Sequence, residues 1–373
     1  MVELPTKCKA AVIVEFNKPL EIIELDVPLD IESNAILVKN EMAGICGSDI
    51  HMWRGRTGGA AKARFPLILG HETVGRIVKL GDGRKHDCAG ATLKVGDRII
   101  WSHVFCGECY WCKIAHQPNI CSNRIGSGFR CCYEYPYLCG GYAEYSYLVP
   151  KTEVVKIPEE LTNDEVVGVP CAFRTNVAAY ENLGGYGLQD SVVIQGAGPI
   201  SLFALVLAKE GGAGKIIIVG APQNRLDLAK KWGADIAINI EEYPDAATRK
   251  QMILDLTEGI GADVVVEGSG GRTAFGEGLE IIRKGGKYVV VGQISFEHTN
   301  TIKPALITIN HLTIIGQNCA VISQYRTALR IIQNKRNVYN FADLITNKYK
   351  LEQVNEALLA MEEGKEIKPV LVP

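Results

Sequence analysis

Apolar and polar residues alternate in short runs over the first part of the chain: KAAVIVEF, AILVKNEM, ETVGRIVKL, DRIIW and YAEYSYLV, with Gly and Pro between them. A two-residue period buries one face of a strand, so this stretch predicts a mostly-β region. Two connections are long. Residues 81–94 (GDGRKHDCAGATLK) and 122–139 (SNRIGSGFRCCYEYPYLC) carry turn formers and little periodicity. Connections of that length in a compact domain are usually functional or lie at an interface.

Near Val166 the pattern becomes strand and helix in alternation. A helix is predicted over Thr175 to Asn182, then strand SVVIQ, helix PISLFALVLAKEGG, strand KIIIVG, helix NRLDLAKKWGA and strands IAINI, ADVVVEG, KYVVVG and LTIIG. Apolar strands separated by amphipathic helices imply a parallel sheet covered on both faces. The final segments (YRTALRIIQNKR, LEQVNEALLAMEEG, IKPVLVP) are short and mixed, and close back onto the first region. The expected class is α/β, with one domain from residues 1–172 and 318–373 and a doubly wound dinucleotide-binding domain over 173–317.

Composition narrows the function. The chain has 373 residues, a length that favours two cores, and its net charge of −2 offers no surface for nucleic acid. No apolar run approaches the roughly 20 residues that span a bilayer, and the N-terminus lacks the order of a secretory leader, so a cytoplasmic protein without a membrane partner is expected. Of the twelve cysteines, four fall within residues 106–121, a packing that suits metal ligation better than disulfides.

Strand SVVIQ runs into Gly196-Ala197-Gly198-Pro199-Ile200-Ser201 and then a helix, the context of a dinucleotide fingerprint. Gly196 permits the tight turn, Gly198 lets backbone approach a pyrophosphate, and the helix N-terminus supplies free N–H groups. A Gly-rich turn that binds nothing is the bland alternative. The second strand ends Val219-Gly220-Ala221, where an acid would meet the ribose hydroxyls of NAD. Without that carboxylate NADP is admissible too. Arg225 is near enough in sequence to meet its phosphate, or to stack on adenine in either cofactor. NAD and NADP both stand.

Cys106-x2-Cys109-x2-Cys112-x8-Cys121 has the spacing of a closed, structural zinc site. A ferredoxin-type cluster is the competitor, but there the fourth cysteine follows after three residues and precedes proline, whereas Cys121 precedes Ser122. A second set is scattered: Cys46 in GICGSDIH, His71 and Glu72 in GHE, and Cys171 in VPCAFRT. Two thiolates and an imidazole leave zinc an open position for water or substrate.

The order GICGSDIH, GHETVG, VGDRI, the four-cysteine lobe, GGYAEY, PCAFRT, GAGPIS and VVVGQ resembles the zinc-containing medium-chain alcohol dehydrogenase family over essentially the whole chain. The resemblance implies a GroES-like catalytic domain, a Rossmann domain, two zinc ions per chain, a small alcohol or carbonyl substrate, and a homodimer or homotetramer. It makes Cys46, His71 and Cys171 the catalytic zinc ligands, Asp49 the acceptor for the ligand histidine, and Glu72 a carboxylate behind the metal. Ser48 and His51 match the family's proton relay. Thr175 and Val291-Gly292-Gln293 fall where the family contacts nicotinamide, with Ile200 behind its ring, and Lys368 takes the place of a pyrophosphate-binding arginine. Thr175 as a helix cap and Lys368 as a solvated terminal lysine are the plain alternatives.

The chain falls between branches. Gly47 follows the first ligand, as in sorbitol and threonine dehydrogenases, yet those sorbitol enzymes tend to use glutamate where this chain has Cys171. The expected reaction is reversible hydride transfer between a secondary alcohol or polyol and NAD(P). A zinc-free enone or quinone reductase and a non-catalytic zinc protein of the same fold are the rivals. Trp53, Trp101, His103, Phe129 and Tyr137 are candidates for the substrate pocket, or are simply loop-packing residues.

Overall fold

The computed structural model describes residues 4–57, 63–126 and 130–373. The chain divides into two units, Met1–Cys171 with Ala320–Pro373, and Ala172–Cys319.

The first unit is built on a mixed sheet in which Ile36–Gly44 lies between Glu72–Leu80 and Lys368–Val372, with Arg98–Trp101, Val154–Lys156, Tyr145–Leu148 and Ile345–Lys350 extending it. Pairing Ile36–Gly44 with both neighbours fixes the chemistry of the unit. Gly44 comes opposite Glu72 on one side and Val370 on the other, so the segments following Gly44, preceding Glu72 and preceding Val370 emerge together. The alternation places Ile36, Val38, Ile77, Ile99 and Val154 in a dry layer, the burial that specifies this register.

The two long connections have structural anchors. In 81–94 the Asp87 carboxylate accepts from the backbone N–H groups of Ala89 and Ala91 at 2.8 Å and from Lys156 at 2.9 Å, while Arg84 Nη2 donates to the Thr152 carbonyl at 2.8 Å. That loop is stitched to the strand Val154–Lys156. In 122–139, Cys132 N donates to Pro66 O at 2.8 Å and the Tyr135 hydroxyl to Glu32 at 2.6 Å.

The second unit is a six-stranded, all-parallel sheet in the order Ile236–Asn239, Lys215–Gly220, Ser191–Gln195, Ala262–Glu267, Ile282–Val290, Thr313–Gly316. Val193, Ile217, Ile238, Val265 and Tyr288 are buried in its core, as continuous apolar strands require. Chain order reverses between Ser191–Gln195 and Ala262–Glu267, and ligands of doubly wound sheets bind at the carboxyl ends of strands flanking such a reversal.

Candidate active site

Cys46 ends the extended segment after Gly44 and caps the short helix Gly47–Trp53. Its backbone N–H donates back to Asp49 Oδ2 at 2.9 Å, which sets the ligand's backbone before any metal is considered. The other Asp49 oxygen lies 3.2 Å from His71 Nδ1, and the buried Tyr142 hydroxyl donates to Asp49 at 3.0 Å. One carboxylate therefore orients two of the expected ligands. With Nδ1 directed at Asp49, Nε2 is the His71 atom that could coordinate a metal.

Cys171 arrives on a π-helical turn, Val169–Phe173, whose Pro170 has no N–H to give to an α-helical ladder. Its sulfur lies 3.9 Å from that of Cys46. Zinc–sulfur bonds of about 2.3 Å in a tetrahedron hold sulfurs roughly 3.8 Å apart, so the pair fits one ion. Donor atoms of Cys46, His71, Glu72 and Cys171 all lie within 4.8 Å of one another. The hydrogen bond with Cys171 holds the Cys46 thiol well below its usual range, against the opposing effect of burial. That thiol is poised to bind metal as thiolate.

Glu72 is fully buried. Burial lifts its carboxyl to about 7, with the Lys368 charge working the other way. Oε2 receives Lys368 Nζ at 2.6 Å, while Oε1 has no partner among the described residues and belongs to the converging donor set. An orphaned buried carboxylate oxygen beside two thiols and an imidazole is the donor chemistry of a cation site.

Lys368, which the resemblance places on a pyrophosphate, is 1 % exposed, and its ammonium donates to Glu72 and to the Ile45 carbonyl at 3.1 Å. The strand register that sets Val370 opposite Gly44 carries Lys368 inward beside the segment that bears Cys46.

Ser48 and His51 share one face of Gly47–Trp53, three residues apart, and Ser48 Oγ lies 3.4 Å from His71 Nε2. Of the pocket candidates, Trp101 and His103 line a cavity that includes His71, together with Val104, Ile125, Leu138 and Leu148. The His103 ring centroid lies 6.5 Å from that of His71. Trp53 is instead a packing residue, 4 % exposed, its indole N–H bonded to the Lys18 carbonyl. Tyr137 is 43 % exposed and packs edge-on against Tyr135. Phe129 lies outside the described residues.

In the lobe, sulfur separations are 3.5 Å for Cys106 and Cys121, 3.6 Å for Cys109 and Cys112, 3.8 Å for Cys109 and Cys121, and 4.0 Å for Cys106 and Cys112. These bracket the tetrahedral value. Backbone N–H groups, that of Cys109 among them at 3.4 Å, draw the Cys106 thiol down to about 6.

In the dinucleotide unit, Gly196 has φ +103° and Gly198 caps the helix Pro199–Glu210 with open space where a side chain would stand. Asn176 Nδ2 donates to the Ile200 carbonyl at 2.9 Å, tying the helix that carries Thr175 to the fingerprint. Gly220 has a steric cause: a Cβ there would fall 2.9 Å from Ala197 N, so the position that an acid would occupy is closed by the fingerprint turn itself. Arg225 stands in the first turn of Gln223–Lys231, partly buried, and desolvation lowers its pKa. Val291 and Gly292 donate to the Glu267 carbonyl at 2.9 and 3.0 Å, and Gln293 Nε2 to the Gly271 carbonyl at 2.7 Å. Tyr142 and Glu267 carry no signal in the sequence pattern. Tyr142 stands within GGYAEY, and Glu267 ends an apolar strand.

Residues 32–159 match the family model for the alcohol dehydrogenase GroES-like domain, and residues 199–334 that for zinc-binding dehydrogenase. The chain is 32% identical over 367 residues to 5-exo-hydroxycamphor dehydrogenase of Pseudomonas putida, covering 97% of this chain and 98% of that one. It is 33% identical to an alcohol dehydrogenase of Geobacillus stearothermophilus, covering 96% of each. The crystal structure of an alcohol dehydrogenase from Thermotoga maritima superposes with a TM-score of 0.91 at 36% identity, covering 98% of this chain and 99% of that one.

Proposed function

Because this chain belongs to the zinc-containing medium-chain alcohol dehydrogenases, nicotinamide-dependent oxidoreductases acting on CH–OH groups, we propose that Cys46, His71 and Cys171 hold its catalytic zinc. The carrying observation is the convergence of two thiols and an imidazole from distant segments beside the unpartnered oxygen of Glu72. When bound, zinc polarises the substrate oxygen and the nicotinamide takes the hydride. The chain's own work is to orient and to move a proton. Asp49 fixes Cys46 and His71, Ser48 accepts the alcohol's proton beside His71, and His51, one helical turn on, relays it outward. Cys106, Cys109, Cys112 and Cys121 hold a second, structural zinc, giving two ions per chain.

The substrate is a secondary alcohol or polyol; the apolar wall of Trp101, Val104, Ile125 and Leu138 beside His71 suits the carbon skeleton of the former, and His103 offers a polar element for further hydroxyls. The relative named for hydroxycamphor, a secondary alcohol, fits that wall. Thr175, Gly196, Gly198, Pro199, Ile200 and Val291–Gln293 form the cofactor site. Gly220 and Arg225 admit NADP as well as NAD. The strand Thr313–Gly316 is a free edge near the exposed Ile309, a surface that suits pairing with a second copy. Among the described residues no helix is long and apolar enough to cross a membrane, and no two cysteines are joined in a disulfide, which suits a reducing cytoplasm.

The test is a screen of primary alcohols, secondary alcohols and polyols with NAD and with NADP, reading reduced nicotinamide, alongside zinc analysis. Turnover of secondary carbinols with both cofactors, lost on chelation, is the expected result. Chelator-resistant reduction of enones with no alcohol oxidation would replace this reading with the zinc-free one.

A further inference from the structure

Three segments of the dinucleotide unit meet at the carboxyl ends of Ser191–Gln195 and Ala262–Glu267, where the strand order reverses: the fingerprint turn 196–201, the turn 268–271 (Gly-Ser-Gly-Gly), and Val291–Gln293. They meet backbone to backbone. A Cβ on Gly196 would stand 2.9 Å from Ser269 Cα, and one on Gly292 would stand 2.4 Å from Gly270 N. A displacement of turn 268–271 is therefore transmitted to both neighbours without side chains to absorb it.

Glu267 holds that turn. It is wholly buried, and its Oε1 accepts from Ser269 N at 2.8 Å, Ser269 Oγ at 2.7 Å and Gly270 N at 2.7 Å. Its backbone carbonyl takes the N–H groups of Val291 and Gly292. Gln293 closes the circuit by donating to Gly271. One residue thus fastens the turn through its side chain and the nicotinamide segment through its main chain. The other carboxylate oxygen, Oε2, has no partner among the described residues.

We infer that Glu267 is a positioning residue of the cofactor site: through turn 268–271 it holds Gly196 and Val291–Gln293 in register for the dinucleotide, without touching it. Hydrogen bonds to a charged acceptor are roughly twice as strong as neutral ones, which suits an atom that must fix two consecutive amides. This role rests on the proposed reading of those segments as cofactor contacts.

The experiment compares wild type, Glu267→Gln, Glu267→Leu and Ser269→Ala. It measures NADH and NADPH binding by nucleotide fluorescence, KM for cofactor and for alcohol, kcat at saturating cofactor, zinc content, and thermal unfolding without nucleotide. Glu267→Gln keeps an oxygen that accepts the same bonds, and it is expected to hold cofactor within about threefold of wild type. Glu267→Leu is expected to weaken cofactor binding and raise cofactor KM by about tenfold or more, with alcohol KM and zinc content unchanged. Should Glu267→Leu not fold, Ser269→Ala removes one donor to Glu267 and the acceptor of Gly271 N at 3.0 Å, and is expected to raise cofactor KM about threefold.

Cofactor binding at the wild-type level in Glu267→Leu, or in Ser269→Ala if the former does not fold, overturns the inference. So does a Glu267→Gln variant as impaired as Glu267→Leu with equal loss of thermal stability. Wild type that binds neither nucleotide overturns the cofactor site itself, a result separable from an unchanged variant of a binding protein.

Discussion

In residues 106–121 four thiols are gathered by one short helix, a 3-10 turn and backbone N–H groups, whereas Cys46 and Cys171 meet across 125 positions of chain. The lobe is built locally and sits among exposed side chains, Tyr110 at 62 % and Ile114 at 68 %. The scattered centre is built from the inside. Its thiols and imidazole lean on Asp49, Tyr142, Glu72 and Lys368, all 3 % exposed or less. A site whose ligands come from one segment needs little beyond that segment. One whose ligands are far apart needs a finished core to bring them together, and so its supporting residues carry stability as well as chemistry.

Three substitutions test that contrast, the most damaging first. Cys46→Ser should abolish turnover and lower zinc by about one ion per chain, with far-UV circular dichroism unchanged. Full activity in a metal-depleted Cys46→Ser protein would remove the zinc assignment. Lys368→Met leaves Glu72 buried without its cation and should cost about 3 kcal/mol in urea unfolding, in keeping with the loss of one partner of a buried pair. A protein as stable as wild type would show that the inner scaffold is less committed than its burial suggests. Cys109→Ser should also lose about one zinc, yet lower the unfolding midpoint by only about 2–4 °C, the shift of roughly 1 kcal/mol, and leave kcat near wild type. A collapse of activity there would erase the distinction between the centres.

Legibility followed the same division. The lobe could be read from spacing alone, because all its information lies within one short segment. The doubly wound sheet was equally plain, since strands buried on both faces write continuous apolar runs such as Val192–Ile194 and Ile216–Val219. Cys46, His71 and Cys171 needed the order of motifs, because a lone cysteine or histidine in sequence has many bland explanations. Lys368 looks solvated in sequence because it stands near a chain end, and its burial is set by a strand that runs beside Gly44. Tyr142 and Glu267 carried no periodic signal, their roles being set by partners brought near only in the fold. Gly220 was noticed for what it lacks, and its steric cause lay in a turn of a neighbouring strand.

That cause bears on how such an enzyme can be altered. If position 220 cannot widen without moving Ala197, mutation cannot install a ribose-gripping acid there in one step, whatever pressure is applied. Adaptation toward one nicotinamide nucleotide is channelled to the flanking residues Ala221–Arg225, and a library aimed at cofactor preference has its useful diversity there.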